Sequence, residues 1–477
     1  MTRRPTDANA SGLSRRRFLS GATAAGAAAV AVPGLAGCAG SPGGQSIEGQ
    51  PVDSELYPLD EARRLNRSLN WPRSIGDPAK RTKIVVAHTW TPDFWVRQMQ
   101  FDTFFMERHP TIEVATENTP GGDYLSKYVI QAASGSLPDL MYAQYGFAQS
   151  FIQAGKFAAL DAYVARQPDF DEADFTRPAL DYYRLGGSLH GLGYDCGPVM
   201  LAYNKDIFDD GGVPYPNEDW TLNDLRDAAR HLTQGSGADR IYGFSSFPDL
   251  SFPYASPLFL QPFGGRVLDQ EQTHCVVTSA RAREAARWWV DALMPATPTL
   301  GEHQALNITG AFLQGRAAMD IAGSWLGPML RGQDAFQYDF SHWPAGPVRR
   351  STSAVGSCYG ITSGSQHQDA AWVYLNEYMS TAGLTFMFAS TGSGSPGRKS
   401  AWPAYLRSPN APNGARLFYD ALDSYATADG VLHLPSAPKI KDTIKPIWDR
   451  VRDGRTDVAD AMGQIRDGVD PILLGDR

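Results

Sequence analysis

Between residues 83 and 143 the chain alternates short apolar runs with longer amphipathic ones, and this alternation leaves few folds open. Lys83-Ile84-Val85-Val86-Ala87-His88 reads as a buried strand. Thr91-Pro92-Asp93 has the character of a helix start, and Trp95, Met99, Phe101 and Phe105 follow at helical spacing until His109-Pro110 stops them. Ile112-Glu113-Val114-Ala115 is a second strand, and Gly121-Gly122-Asp123 precedes a helix over 124–133. Gly135-Ser136-Leu137-Pro138 breaks that helix before a third strand over 139–143. Strand–helix–strand–helix–strand order calls for a parallel sheet with right-handed crossovers. In such sheets ligands sit beyond the carboxyl ends of the strands. Those ends are residues 88–93 and 144–146, with the loop 121–124 beside them, where polar and aromatic side chains gather. A small-molecule cleft is therefore expected from the architecture alone.

Further along, Gly191-Leu192-Gly193-Tyr194-Asp195 leads into a strand over 199–203 that ends at Asn204-Lys205-Asp206. Residues 317–322 form another buried run, closed by Gly323-Ser324-Trp325, and Tyr359-Gly360-Ile361-Thr362 precedes a helix over 369–379. Trp288 and Trp289 fall on a helical pattern over 280–293 and are expected in a core. Neither an internal repeat nor a heptad pattern is present.

The N-terminus reads as an address. Arg15, Arg16 and Arg17 precede Phe18-Leu19 and an Ala- and Gly-rich stretch through Ala39 that Pro33 interrupts. That stretch is too weakly apolar for a good membrane span. It fits a signal peptide over 1–37, and the arginines with Phe-Leu resemble a twin-arginine export signal. Leu35-Ala36-Gly37-Cys38 looks like a lipobox, in which Cys38 would be acylated. Residues 38–80 then read as a flexible tether followed by an arm, with one short helix near 59–69.

Formal net charge is −8, and without the first 37 residues the balance is 38 basic to 50 acidic residues. Such a surface argues against nucleic acid as a partner. The cysteines, Cys38, Cys196, Cys275 and Cys358, form no Cys-x-x-Cys pair, and no metal-binding spacing of His and Cys occurs, so no metal is expected. Gly392-Ser393-Gly394-Ser395-Pro396-Gly397 lacks the context of a phosphate loop, and no cofactor fingerprint appears.

Taken in order along the chain, these segments resemble extracellular solute-binding proteins of the maltose-binding type. Gly135-Ser136-Leu137-Pro138-Asp139-Leu140 with Gly155-Lys156-Phe157-Ala158-Ala159-Leu160 is similar to the family's first-lobe signature. Leu201-Ala202-Tyr203-Asn204-Lys205-Asp206 looks like its crossing strand, and Ala318-Met319-Asp320-Ile321-Ala322-Gly323-Ser324-Trp325 like its second-lobe signature. Pro216 and residues 219–225 match more loosely, with Trp220 and Thr221 in exchanged order.

The resemblance implies an α/β, two-lobed periplasmic-binding-protein fold of type II, each lobe a mainly parallel sheet flanked by helices, with a hinge between them. Residues 81–195 and 360–405 would form lobe 1, and 196–359 and 406–477 lobe 2. It also implies a receptor outside the cytoplasm, anchored by lipid alone, that passes a carbohydrate-like solute to the membrane subunits of an ABC permease. A monomer is expected. For stacking on the apolar faces of a sugar the candidates are Trp90, Tyr124, Tyr145, Trp325 and Tyr359. For its hydroxyls they are Asp93, Asp123, Gln144, Asp195, Ser324 and Ser357, with Arg398 reaching in from its loop. Asp93 has a competing role as a helix cap, Tyr124 as the first apolar residue of its helix, and Arg398 as a solvated surface residue. Cys196 and Cys358 fall on the two segments expected to cross the hinge, where a disulfide could form outside the cytoplasm. A lipid-anchored glycosidase, an adhesin or regulator, and a receptor for glycerol phosphate or a polyamine stay open as alternatives. Fold alone does not settle function.

Overall fold

In a computed structural model of the chain, residues 45–46 and 52–475 are described, apart from residues 74, 77, 253, 307–309, 331–334, 392–393, 413 and 429. The signal segment, the lipobox with Cys38 and most of the tether lie outside the described residues.

The arm carries helix α1, Leu59–Ser68, and leads into the first sheet. Strand β1, Thr82–His88, is followed by helix α2, Pro92–Arg108, strand β2, Ile112–Asn118, helix α3, Gly121–Ser134, and strand β3, Leu140–Gln144. Strand β1 pairs in parallel with β2 along its whole length and with β3 at Val86–Leu140 and Ala87–Met141. The expected three-strand parallel unit is thus present. Gly135 ends α3 at φ +71°, a left-handed cap that suits a residue without Cβ.

Two chain passages connect this sheet to a second one. Strand β4, Leu192–Pro198, runs into β5, Met200–Asn204, with only Val199 between them. Strands β6, Met319–Ala322, and β7, Tyr338–Ser341, flank β5. Both lie antiparallel to it, which differs from the mainly parallel second sheet expected. The reason is topological: β5 continues straight out of β4 and so crosses the second sheet against its neighbours. Parallel bridging there is confined to isolated pairs such as Tyr242–Ala317. The second passage is β8, Thr352–Ile361, ten residues that are all buried. It pairs antiparallel with β3 from Ser357–Gln144 to Ile361–Leu140, and with β4 from Ala354–Pro198 to Tyr359–Leu192.

Each sheet has its own core. One cluster joins β1–β3 and β8 to Phe101, Phe105, Trp372, Phe386 and Trp402, and reaches one face of the second sheet at Met200, Ala202 and Phe340. The other gathers Leu201, Tyr203, Trp220, Phe259, Trp289 and Trp343 against the C-terminal helices Ala437–Arg452 and Val458–Gly475. Trp288 and Trp289 stand edge to face at 4.8 Å, and the Trp289 indole donates to the Phe259 carbonyl at 2.7 Å. Both lie in or against this core, as their helical pattern suggested.

The arm is packed onto the first body. Ala62 is in its core, and Gln100 donates to the carbonyls of Val52 and Tyr57 at 2.8 Å. Arg108, at the end of α2, lies 3.8 Å from the Trp71 ring centre and donates to Asn66 at 2.6 Å. Its Nε also donates to the fully buried Glu377 at 2.7 Å, and His109 Nε2 meets the other carboxylate oxygen at 2.7 Å. Arg108→Met should cost about 3 kcal/mol, because a buried carboxylate left without its main cation is strongly destabilising. Urea unfolding monitored by circular dichroism would read this loss, and a cost under about 1 kcal/mol would show that Arg108 does not hold the arm.

Candidate functional site

Antiparallel pairing of β8 with β3 and β4 brings four of the anticipated residues together. Gln144 lies opposite Ser357, and Ser357 lies opposite Asp195. Ser357 donates its backbone N–H to Asp195 Oδ1 at 2.8 Å, and its hydroxyl donates to the same oxygen. The Tyr145 N–H donates to the Gly356 carbonyl at 3.0 Å, which fixes Tyr145 beside this pair. Tyr145 is half-buried and packs against both cores, so it stands where the two bodies meet. Burial pushes the Asp195 carboxyl up to about 6, although the two donors from Ser357 work against it. Burial, with the Asp195 charge added, raises the Tyr145 phenol, which stays neutral.

Facing groups come from the second body. Asp320 on β6 accepts from Ser246 Oγ at 2.6 Å and from the Ile321 N–H at 2.8 Å, and burial pushes it up to about 6. Tyr254 is raised by burial and then by Tyr145 and Asp320, which places it in the field of both. Phe252 stacks on Tyr254 at 5.1 Å and keeps part of its own ring exposed. Trp325 is 40% exposed, with its indole over Gly323, where a Cβ would come within 1.9 Å of the ring. Only glycine at 323 lets that ring fold back and leave the rest of its surface open.

The remaining anticipated residues are placed differently. Tyr124 is buried and donates to the Tyr142 carbonyl at 2.8 Å, so its expected stacking role is corrected to a core one. Tyr359 is likewise fully buried, its hydroxyl 2.5 Å from His88 Nδ1. Burial holds that imidazole down to about 3, hence neutral. Arg398 is also corrected. It pairs with Asp174 at 3.0 Å, donates to the Met379 carbonyl at 2.6 Å and lies over Phe175. Ser324 is buried with its hydroxyl 3.1 Å from that of Ser395. Trp90 is half-buried among Phe94, Tyr142 and Tyr194, its indole donating to Gln98 at 3.2 Å. Asp123 is exposed in the first turn of α3. Asp93 lies in the first turn of α2, after the cap residue Thr91, and its side chain falls outside the described residues. Asp320, Ser246, Phe252 and Tyr254 escaped the sequence reading. An acid inside the apolar run 317–322 was the available signal for Asp320.

The anticipated Cys196–Cys358 disulfide is corrected to two free, buried thiols, and Cys275 is free as well. In the β4–β8 register Cys196 faces Gly356, while Cys358 faces Gly193 beyond a bulge. Residues so displaced along a ladder cannot bring their Cβ atoms to the roughly 4 Å that a disulfide needs. Burial raises Cys196 and Cys275 to about 12, and Cys358 upward too.

Two bodies joined by strands that pass between them, with aromatic and acid side chains from each meeting at the passage, define a two-lobed binding receptor of the type II class. The chain belongs to the bacterial extracellular solute-binding protein family, whose model matches residues 89–384. A binding protein of Brucella abortus is 24% identical over 279 residues, which are 57% of this chain. The match spans 66% of that relative's length, a little under two thirds. An ABC substrate-binding protein of Listeria monocytogenes, solved with cycloalternan, superposes with a TM-score of 0.73 at 21% identity, covering 83% of this chain and 99% of that one. An ABC transporter solute-binding protein of Thermotoga lettingae, bound with α-D-tagatose, gives 0.70 at 18% identity, with 83% and 100% covered. The family places the protein outside the cytoplasm. Among the described residues no helix is long and apolar enough to cross a membrane.

Two outcomes follow from this geometry. A thiol-specific chromogenic reagent should leave Cys196, Cys275 and Cys358 unlabelled in the native protein and label all three in urea without reductant; two labelled sites fewer would restore the disulfide. Asp195 binds its proton more tightly folded than unfolded, so its contribution to stability falls as pH rises from about 4 to about 6 and is flat above. Relative to wild type, Asp195→Asn should therefore gain about 1–2 kcal/mol between pH 4.5 and pH 7.5 in urea unfolding. A pH-independent difference would mean that Asp195 is not desolvated.

Proposed function

We propose that this protein captures a sugar or oligosaccharide in the cleft between its lobes and delivers it to the membrane subunits of an ABC importer. The observation that carries this reading is Tyr145, packed against both cores beside the Asp195–Ser357 pair. A solute there touches both lobes at once, so its binding favours their closed arrangement. Aromatic surface on Tyr145, Tyr254 and Trp325 suits the C–H faces of a sugar ring, and Gln144, Asp195 and Asp320 suit its hydroxyls. The ligands named for the Listeria and Thermotoga proteins, cycloalternan and tagatose, belong to the same chemical class. In this reading residues 1–37 direct export by the twin-arginine route, Cys38 carries the lipid, and residues 38–80 link it to the body. Lobe 1 then comprises 81–195 and 360–405, lobe 2 comprises 196–359 and 406–477, and the receptor works as a monomer.

A thermal-shift screen with mono-, di- and oligosaccharides, polyols, amines and glycerol phosphates tests the proposal. Ligand at 100 times its dissociation constant should add about 2.7 kcal/mol of stability. Trp325→Ala should weaken a carbohydrate hit about tenfold or more while leaving the unliganded melting temperature close to wild type, since Trp325 belongs to neither core. A shift produced only by amines or phosphates would replace the solute class, and silence across the whole panel would count against a receptor.

A further inference from the structure

Trp90 stands one ring away from the Asp195–Ser357 pair. Its indole meets Tyr142 edge to face at 5.8 Å, and the Tyr142 phenol lies against the Ser357 side chain in the field of Asp195. Trp90 belongs to the short passage between β1 and α2, where neither a helix nor a strand ladder fixes a side chain. Two amides hold it instead. Asn118, at the end of β2, accepts from the Trp90 N–H at 2.7 Å and donates to its carbonyl at 2.9 Å. Gln98, on α2, accepts from the indole N–H at 3.2 Å.

An indole N–H can only donate, so the side-chain oxygen is the end of Gln98 that faces Trp90. The same oxygen accepts from the Tyr378 hydroxyl at 2.5 Å. The amide NH2 donates to Asp102 Oδ1 and to the Tyr374 hydroxyl, each at 2.9 Å. Tyr374 donates onward to Asp102 at 2.6 Å, and Thr116 donates to the other carboxylate oxygen at 2.8 Å. Gln98, Asp102, Tyr374 and Tyr378 are all fully buried. Gln98 and Asp102 are one turn apart on α2, and Tyr374 and Tyr378 are one turn apart on the helix Gln368–Tyr378, so two helices build the anchorage. Two donors therefore press on one end of the Gln98 side chain and a carboxylate on the other. An amide answers both, whereas an apolar chain would orphan the indole and the phenol. With both of its hydrogens spent, Gln98 cannot turn over.

We propose that Gln98 is a positioning residue for solute capture: it fixes the plane of the Trp90 ring as a wall of the cleft, with Asp102 as its anchor inside the lobe. The proposal rests on the receptor reading above and adds to it a residue that never touches the solute. A ring that is already held loses no rotamer freedom when a sugar stacks on it, and it favours one face and tilt of that sugar. Tyr194 on β4 lies 5.2 Å from Trp90 and stacks on Tyr378 at 5.5 Å. The anchorage thus reaches a strand that passes between the two bodies.

Hydrogen exchange followed by nuclear magnetic resonance, on the whole protein with isotope-labelled indole nitrogens, tests the contact without any solute. The resonance that Trp90→Phe removes should be single and protected in wild type and in Gln98→Glu. In Gln98→Met it should shift and exchange about tenfold faster or more. Gln98→Glu keeps an acceptor towards Trp90 and can share a proton with Asp102, whose carboxyl burial already pushes up to about 6. Calorimetry then uses the saccharide that raises the melting temperature most in the panel above. Gln98→Met should weaken its binding about tenfold in the wild-type background and by about twofold or less in Trp90→Phe, and Gln98→Glu should restore most of the loss. Equal losses in both backgrounds would show that Gln98 only supports the fold and would overturn the proposal. A wild-type Trp90 indole that exchanges freely would overturn it too, and that measurement decides even where Gln98→Met does not fold. A protected Trp90 indole in a protein that no saccharide stabilises would support the contact and count against the receptor reading instead.

Discussion

A strand enclosed on every side is the constraint on which the rest of this structure hangs. All ten residues of β8 are buried, so its backbone groups must be satisfied by neighbouring strands and its side chains must fit where there is little room. Thr352, Ser353, Ala354, Gly356, Ser357 and Gly360 meet that demand by being small. Gly356 is the tightest point, since a Cβ there would fall 2.1 Å from the Asp195 carbonyl oxygen. The close approach of the two passing strands at that residue is what sets Asp195 against Ser357 and lets Gly356 hold Tyr145 by its backbone. Groups fixed in this way ride on strands rather than loops, and that is where a site keeps its geometry.

Burial of a carboxyl does not by itself mark a site. Asp102, Asp195 and Asp320 are all pushed up to about 6 for the same reason, desolvation. Asp102 is enclosed in the first core and accepts from Gln98, Tyr374 and Thr116, so its hydrogen-bonding capacity is spent inside the lobe. Asp195 and Asp320 take their donors from one side, Ser357 and Ser246, and lie near the aromatic residues that reach across. Position relative to the two bodies, together with leftover acceptor capacity, distinguishes them from Asp102.

The first sheet was legible because three apolar runs and two amphipathic stretches with clear breakers follow one another, and local patterning suffices for that unit. Gln144, Tyr145 and Asp195 stood out as candidates because they lie at strand ends or at an entry to a crossing strand, and strand pairing does bring them together. Tyr124 and Tyr359 could not be told from site residues, since a tyrosine in a core and one on a cleft wall carry the same chemistry. What separates them is a distant partner, the Tyr142 carbonyl for one and His88 for the other. Arg398 misled for a similar reason: its loop reads as solvated, while its partner Asp174 lies 224 residues earlier. Antiparallel order in the second sheet was hidden by the long excursions between β5, β6 and β7.

The packing of the arm has a mechanical consequence. A pull applied at Val52 does not first unwind a loose leader. It enters through the Gln100 side chain, which holds the carbonyls of Val52 and Tyr57, and through Arg108, which grips Trp71. Both residues belong to α2, so the load is shared along a helix already wedged against the first sheet. The first body therefore takes up that load before any of it reaches the second.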